Sequence, residues 1–344
     1  MTTNLLDFYG MSLAELEEFL VDNGFKSYNA SQIYDWVYQK GLTDVNEMSN
    51  LSKALRAFLP GKFHFEFPVI AEEHISQDDT RKYLLKLHDG HLIETVLMRH
   101  NYGNSLCVTS QVGCNMGCAF CASGLKKRQR NLLPSELVGQ IIAVSNRIIE
   151  RISHVVVMGT GEPFDNYDNV IKFIRIINEN KGLAIGQRHI TVSTCGIVPM
   201  ILKYADEPIR SNLAISLHAP NNLLRSELMP INRKYPLEKV IAACEEYFAK
   251  TSRRVTYEYI LLEGVNDLEE HAIELSKLLQ GQNCYVNLIP YNPVNEFQYK
   301  STDLDRAMRF VDVLMKRKIN VTLRKEQGSD IQAACGQLRL KNPL

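Results

Sequence analysis

Hydrophobic positions in the first 60 residues recur at helical spacing. Leu13, Leu16, Phe19 and Leu20 share one face. Ser12, followed three residues later by Glu15, has the spacing of a capping box, and Gly24 supplies a stop. Asn29 and Gln32 repeat the box spacing ahead of an apolar stripe of Ile33, Trp36 and Val37 that closes at Gly41. Leu51, Leu55, Phe58 and Leu59 form a third stripe before Pro60-Gly61. Together these predict a helical unit over residues 1–62. The period then changes. Phe63, Phe65 and Phe67 alternate with polar residues, a strand pattern. Lys82 to Leu87 and His91 to Met98 flank Asp89-Gly90, a hairpin signal. Residues 63–104 therefore read as a β-rich connector.

From about residue 105, short apolar runs alternate with amphipathic segments. The strand candidates are Ser105 to Thr109, His154 to Met158, His189 to Ser193, Asn212 to His218, Val255 to Leu261, Cys284 to Ile289 and Ile319 to Leu323. Pro134 suits the first turn of one intervening helix. Repetition of β then α argues for an α/β parallel sheet or barrel. Six or seven units fall short of a closed eight-strand barrel. Residues 105–344 are thus expected to form a partial, six-stranded parallel β/α barrel.

Composition narrows the class. Hydrophobic residues make up 45% and charged residues 23%, values of a folded chain that exclude disordered and fibrous classes. No apolar run nears the ~18 residues that span a bilayer. The start, MTTNLLDFYG, lacks the basic and apolar regions of a secretory signal. The expectation is a cytoplasmic protein with no membrane contact. Lys+Arg and Asp+Glu are both 39, so any nucleic acid must be held by local patches. Lys126, Lys127, Arg128 and Arg130 make one such patch, although a charge run is often only a solvated face. Arg324, Lys325, Arg339 and Lys341 extend the same surface in this reading. The N-terminal unit is more acidic than basic and does not resemble a simple electrostatic grip on RNA.

The eight cysteines are too sparse for a disulfide scaffold. Three are clustered as Cys114-x3-Cys118-x2-Cys121. Three thiolates at this spacing suit three irons of a [4Fe–4S] cluster and leave one iron open to a small molecule. A structural zinc ion usually takes four ligands, and Cys107 is available as a fourth. Placement just after the first strand of the βα series favours the cluster. Cys195, Cys244 and Cys284 read as core thiols. Gly159-Thr160-Gly161-Glu162-Pro163 lacks the third glycine of a dinucleotide fingerprint.

The cysteine run, with Phe120 before its last thiol, resembles the radical S-adenosylmethionine (SAM) superfamily. Leu106 to Cys114, Met158 to Pro163, Ile215 to Pro220 and Asp330 to Leu338 resemble the dual-specificity RNA methyltransferases that act on adenine C2, and the similarity runs over essentially the whole chain. The resemblance implies a partial barrel of radical SAM type and a [4Fe–4S] cluster on Cys114, Cys118 and Cys121. It implies SAM contacts at Gly161, Glu162, Ser193, Ser216, Leu217, His218 and Asn292, each at or just past the end of a candidate strand, where α/β barrels bind ligands and where ordinary turn or cap chemistry also occurs. Cys335 matches the methyl-carrying cysteine. Cys107 matches the thiol that assists proton removal and closes a transient disulfide with Cys335. Glu94, otherwise a polar residue on the outer face of a strand, matches a carboxylate assigned as proton acceptor.

Adenine C2 is an electron-poor carbon and no nucleophile, which is why a radical route is needed. In the implied scheme a methyl group is parked on Cys335, and a radical from a second SAM removes hydrogen from it. The carbon then adds to C2, and a disulfide resolves the adduct. The implied substrates are an adenine of 23S rRNA and an adenine of certain tRNAs, each unstacked to expose C2. The implied partners are a one-electron donor such as flavodoxin or ferredoxin, and the chain is expected to be a monomer. Two alternatives stand beside this. One is the drug-resistance relative that methylates adenine C8, in which a cysteine is expected where this chain has Val112. The other is a non-catalytic iron–sulfur RNA-binding protein, which has no need of Cys107 and Cys335.

Overall fold

The structure, a computed structural model, describes residues 5–339. Lys341, the last residue of the basic surface read from the sequence, lies outside the described residues.

The N-terminal region forms helices α1 (Leu13–Asp22), α2 (Tyr28–Tyr34) and α3 (Lys53–Phe58). The capping box of α1 is present: the Ser12 hydroxyl accepts from the Glu15 N–H, and the Glu15 carboxylate accepts from the Ser12 N–H at 2.7 Å. Asn29 caps nothing. It lies inside α2, accepts from the Lys26 N–H and donates to Gln32 at 2.8 Å. Residues three apart are also neighbours on one helical face, so spacing does not separate a cap from a surface pair. The helices surround an aromatic cluster in which Phe8 lies 5.0 Å from Phe65 and 5.7 Å from Tyr34. Their buried residues, Leu16 and Ile33 among them, belong to the same hydrophobic core as the sheet.

One ten-stranded sheet dominates the described residues. Its strands are β1 (Val69–Ile75), β2 (Arg81–Lys86), β3 (Leu92–His100), β4 (Gly103–Cys107), β5 (Ile152–Val157), β6 (Ile190–Thr194), β7 (Asn212–Ser216), β8 (Val255–Leu261), β9 (Cys284–Pro290) and β10 (Val321–Leu323). Spatial order equals chain order. β1 to β4 pair antiparallel, and every pair from β4 to β10 is parallel. The parallel part has six strands of five to seven residues and a three-residue edge strand, β10. The β-rich segment after residue 63 is thus a continuation of the barrel sheet. Helices α4 (Pro134–Ser145), α5 (Tyr167–Asn178), α6 (Val198–Asp206), α7 (Asn222–Leu228), α8 (Leu237–Thr251), α9 (Glu269–Leu278) and α10 (Leu304–Lys316) fill the crossovers, and Pro134 opens α4. No helix among the described residues is long and apolar enough to cross a membrane.

Strand alternation explains where the chemistry lies. In β8, Tyr257, Tyr259 and Leu261 are in the hydrophobic core. Thr256, Glu258 and Ile260 point the other way and line the barrel interior. The interior is polar at the strand starts, with Ser105, Thr191, Thr256 and Asn287. At the C-terminal strand ends it carries cysteines, glycines and the buried carboxylate Glu162.

Candidate functional site

Cys114, Cys118 and Cys121 line one cavity with Gly161, Glu162, Ser193, Ser216 and His218. Their loop is tied at several points. The Cys114 N–H donates to the Lys126 carbonyl at 3.2 Å, and the Ala119 N–H donates to Leu228 at 2.9 Å. Gly113 turns the chain at φ +78°, where an added Cβ would lie 2.5 Å from the Lys127 carbonyl oxygen. Burial pushes all three thiols up, Cys114 to about 12, and mutual repulsion adds to this for Cys114 and Cys118. A bound cation would oppose both effects and favour their thiolate forms.

The Gly161-Glu162 turn follows β5. Gly161 has φ +111°, and a Cβ there would sit 2.7 Å from the Gln111 side chain. Both the conformation and the close neighbour demand glycine. Glu162 is buried, and its carboxylate accepts from the Thr194 hydroxyl at 2.6 Å, the Cys195 N–H at 2.8 Å and the Phe164 N–H at 2.9 Å. Burial still holds its carboxyl above the usual range, because desolvation outweighs these bonds. Arg225 is fully buried behind this rim. It donates to the carbonyls of Cys195, Ser216 and Leu217 and to Asn232.

His218 adopts φ +58°, and its Nδ1 accepts from the Ile260 N–H at 3.0 Å. The ring proton is therefore on Nε2. Burial, with the Arg225 charge adding to it, pulls the pKa of His218 down from 6.5 to about 3. The unfolded chain takes up a proton below pH 6.5 and the folded chain does not, so the contribution of His218 to stability is complete above 6.5 and lost as pH falls toward 3. The expected slope in that window is up to about 1.4 kcal/mol per pH unit. Denaturant unfolding from pH 7 to 4 should show a shallower slope in His218→Asn, because asparagine tolerates the left-handed backbone and does not titrate. Equal slopes would refute the assignment.

A second cavity adjoins the first and contains Cys107, Cys121 and Cys335. Val96, Met98, Met158, Ile289 and Leu338 give it apolar walls, and Asn292 and Arg324 add polar groups. Arg324 Nη1 donates to the Cys335 sulfur at 3.3 Å, and Nη2 lies 3.7 Å from the Met98 sulfur. Burial pushes Cys107 up to about 12, the neighbouring Cys335 adds to this, and the Arg324 charge opposes it. Glu258 is buried, raised by desolvation, stabilised by Arg324 and bonded to Asn287 at 2.9 Å. Gly336 (φ +81°) turns the Cys335 loop back to the cluster loop, where its carbonyl accepts from the Ala122 N–H at 2.7 Å. Cys107 and Cys335 are both free thiols here.

The chain is similar over most of its length to known proteins. The Radical SAM superfamily model matches residues 108–276, and the ribosomal RNA large subunit methyltransferase N-terminal domain model matches residues 3–64. A protein of Enterococcus faecalis named "Probable dual-specificity RNA methyltransferase RlmN" is 53% identical over 343 residues, covering 97% of this chain and 96% of that protein. A Bacillus subtilis protein of the same name is 52% identical, covering 97% and 93%. The chain belongs to the dual-specificity RNA methyltransferase family of radical SAM enzymes. The crystal structure of a radical SAM methyltransferase from Sphaerobacter thermophilus superposes with a TM-score of 0.90 at 44% identity, covering 97% of this chain and 99% of that one. The cofactors of the family, a [4Fe–4S] cluster and SAM, are those of this enzyme.

The donor set fits them. The three thiols line one shared cavity, as is needed when each holds a different iron of one cluster.

Not every residue named from the sequence sits where the sequence suggested. Gly161, Glu162, Ser193, Ser216 and His218 share the cluster cavity, and Asn292 lines the neighbouring one. Leu217 is different: its side chain is in the hydrophobic core and its N–H donates to the Glu258 carbonyl, so only its backbone is at the rim. Glu94 is no outer-face residue. It is buried, it lies 3.4 Å from Lys82, and it accepts from the Arg339 N–H at 2.9 Å. The basic run is not four free charges. Arg128 pairs with Asp165 at 2.6 Å, and Arg130 pairs with Asp89 and Glu136. Through their backbones Lys126 and Gln129 brace the cluster loop. Cys195, read as core, is buried in a hydrophobic cluster with Phe120, Met229 and Tyr291 and also lines the cluster cavity, its sulfur 3.5 Å from that of Met116. Sequence reasoning misses Arg225 and Glu258, and it takes Arg324 only as surface charge. Position 258 on the interior face of β8 is the one available signal for Glu258.

Proposed function

We propose that this enzyme methylates C2 of adenine in 23S rRNA and in certain tRNAs, with Cys335 as methyl carrier and Cys107 as resolving thiol. One observation carries the reading: Cys335 and Cys107, from opposite ends of the core domain, line one apolar cavity that also contains the cluster cysteine Cys121. Cys114, Cys118 and Cys121 hold the cluster. Gly161, Glu162, Ser193, Ser216, His218 and Asn292 surround SAM. When bound, cluster and SAM supply the methyl group and the one-electron chemistry that activates it. The chain supplies position and proton control. Arg324 orients the Cys335 sulfur, and its charge favours the thiolate form of Cys107. Burial pushes the Cys107 thiol up and the Arg324 charge opposes this, so Arg324 is the group that favours the thiolate form Cys107 needs in order to take up the C2 proton. Met98, Val96 and Leu338 exclude water from the reacting carbon. The same reading has the enzyme act as a cytoplasmic monomer with a flavodoxin- or ferredoxin-type donor, and it makes Lys127 a better candidate for phosphate contact than the ion-paired Arg128 and Arg130.

The test is anaerobic incubation with SAM, reductant and unmodified rRNA or tRNA, followed by mass mapping of the nucleoside. 2-Methyladenosine is expected from both RNAs. A methyl group on C8, or reductive SAM cleavage with no RNA product, would overturn the reading.

A further inference from the structure

We infer that Lys82 and Glu94 form a buried latch that holds the Cys335 loop in register, which makes Glu94 a positioning residue and not the proton acceptor. The role given to the loop rests on the function proposed above; the latch itself is argued from geometry.

Lys82 is on β2 and Glu94 on β3. In the register Lys82 faces Val96 and Leu84 faces Glu94, so the two charged residues are diagonal neighbours. Their side chains are only 7% and 2% exposed, with Nζ 3.4 Å from Oε1. A buried ion pair is rarely worth more than apolar packing of the same volume, so its retention points to a task for its hydrogen bonds. Both partners spend one on the same distant segment. Lys82 Nζ donates to the Gln332 carbonyl at 3.1 Å, three residues before Cys335. Glu94 Oε2 accepts from the Arg339 N–H at 2.9 Å, four residues after it. One ion pair thus grips both ends of the loop that presents the sulfur.

The surroundings support the same role. Upstream, Ser76 and the Gln77 N–H donate to Asp330, and Asp78 accepts from the Gly328 N–H at 3.0 Å. On the inner side, the Ala122 N–H and the Ser123 hydroxyl tie Gly336 and Leu338 to the cluster loop, each at 2.7 Å. The strands before the barrel therefore hold the outside of the loop, and the cluster segment holds its inside. Cys335 lies between them, beside Arg324. The Glu94 carboxylate is turned to Lys82 and to the Arg339 backbone, whereas Val96, two residues along β3, lines the sulfur cavity.

The test uses the full-length, cluster-loaded protein with two readouts. The first is the rate of Cys335 alkylation by iodoacetamide, followed by mass spectrometry without RNA. The second is the rate of nucleoside methylation. Lys82→Met and Glu94→Ala are expected to speed alkylation and to slow methylation, each at least about tenfold, because the loop opens locally. Glu94→Gln keeps an acceptor for the Arg339 N–H but turns an amide NH2 to Lys82, so it is expected to fall between native and Glu94→Ala in both readouts, with an unchanged pH profile. Lys82→Met/Glu94→Leu removes both buried charges. It is expected to bind native amounts of iron and still show fast alkylation, which separates an open loop from an unfolded chain. Native alkylation rates in all variants would overturn the latch. So would a Glu94→Gln variant as inactive as Glu94→Ala beside an active Lys82→Met, since that pattern belongs to a proton acceptor. If the native protein methylates no RNA, the proposed function fails, and the alkylation series still decides the latch.

Discussion

Cys335→Ala is expected to yield no methylated nucleoside, a loss of at least about a thousandfold, while iron content and fold stay native. The size follows from the role. Direct displacement of the SAM methyl by adenine C2 is closed because that carbon is not nucleophilic, so no slower parallel route remains once the carrier sulfur is gone. The fold survives because Cys335 is only partly buried, and its loop is held through Gln332, Gly336, Leu338 and Arg339. Removing the sulfur costs Arg324 one contact, and Glu258 still stabilises the guanidinium. Cys107→Ala should differ in kind: it should stall after carbon–carbon bond formation and leave RNA covalently attached to Cys335, visible as a shifted band on a denaturing gel. Full-rate product from Cys335→Ala would end the carrier hypothesis.

Arg225→Met should destabilise the metal-free protein by about 3–5 kcal/mol, the cost of breaking a buried charged network. Arg225 is fully buried and bonds to three main-chain carbonyls at the ends of β6 and β7 and to the Asn232 side chain. Methionine fills similar volume but offers no donor, so those carbonyls are left without a partner in a site that water does not reach. They belong to Cys195, Ser216 and Leu217, directly beside the residues proposed to contact SAM. The loss should therefore appear in urea midpoints and in a weaker SAM affinity of whatever folds. Arg225→Lys should recover only part of it, because one ammonium cannot reach all the acceptors from one point. A destabilisation below about 1 kcal/mol would show that the network is relaxed in solution.

Much of this architecture is legible in the chain itself. The seven parallel strands are readable because short runs rich in apolar and β-branched residues recur between amphipathic helical segments, with turn residues at their ends. The cluster motif is readable because a cluster needs three thiols at short local spacing. The glycines at 159 and 161 are readable as a turn. Their actual demand is the packing of Thr109 and Gln111 against them, which is a contact between the segments that follow β4 and β5 and leaves no mark in the motif itself. Arg225 looks like any helical arginine, since nothing local distinguishes a guanidinium that reaches inward across two strand ends from one that reaches into solvent.

Local order along the chain is enough to specify the strand–helix alternation, the three cluster thiols and the capped first helix, because each depends on residues within a few positions of one another. The resemblance supplies roles for Cys107 and Cys335. Whether those two sulfurs meet, whether Glu94 faces a substrate or a backbone amide, and whether Arg128 and Arg130 are free for phosphate all depend on residues tens to hundreds of positions apart. Those questions are settled by how the sheet curves and what packs across it, and the sequence carries no short-range record of either.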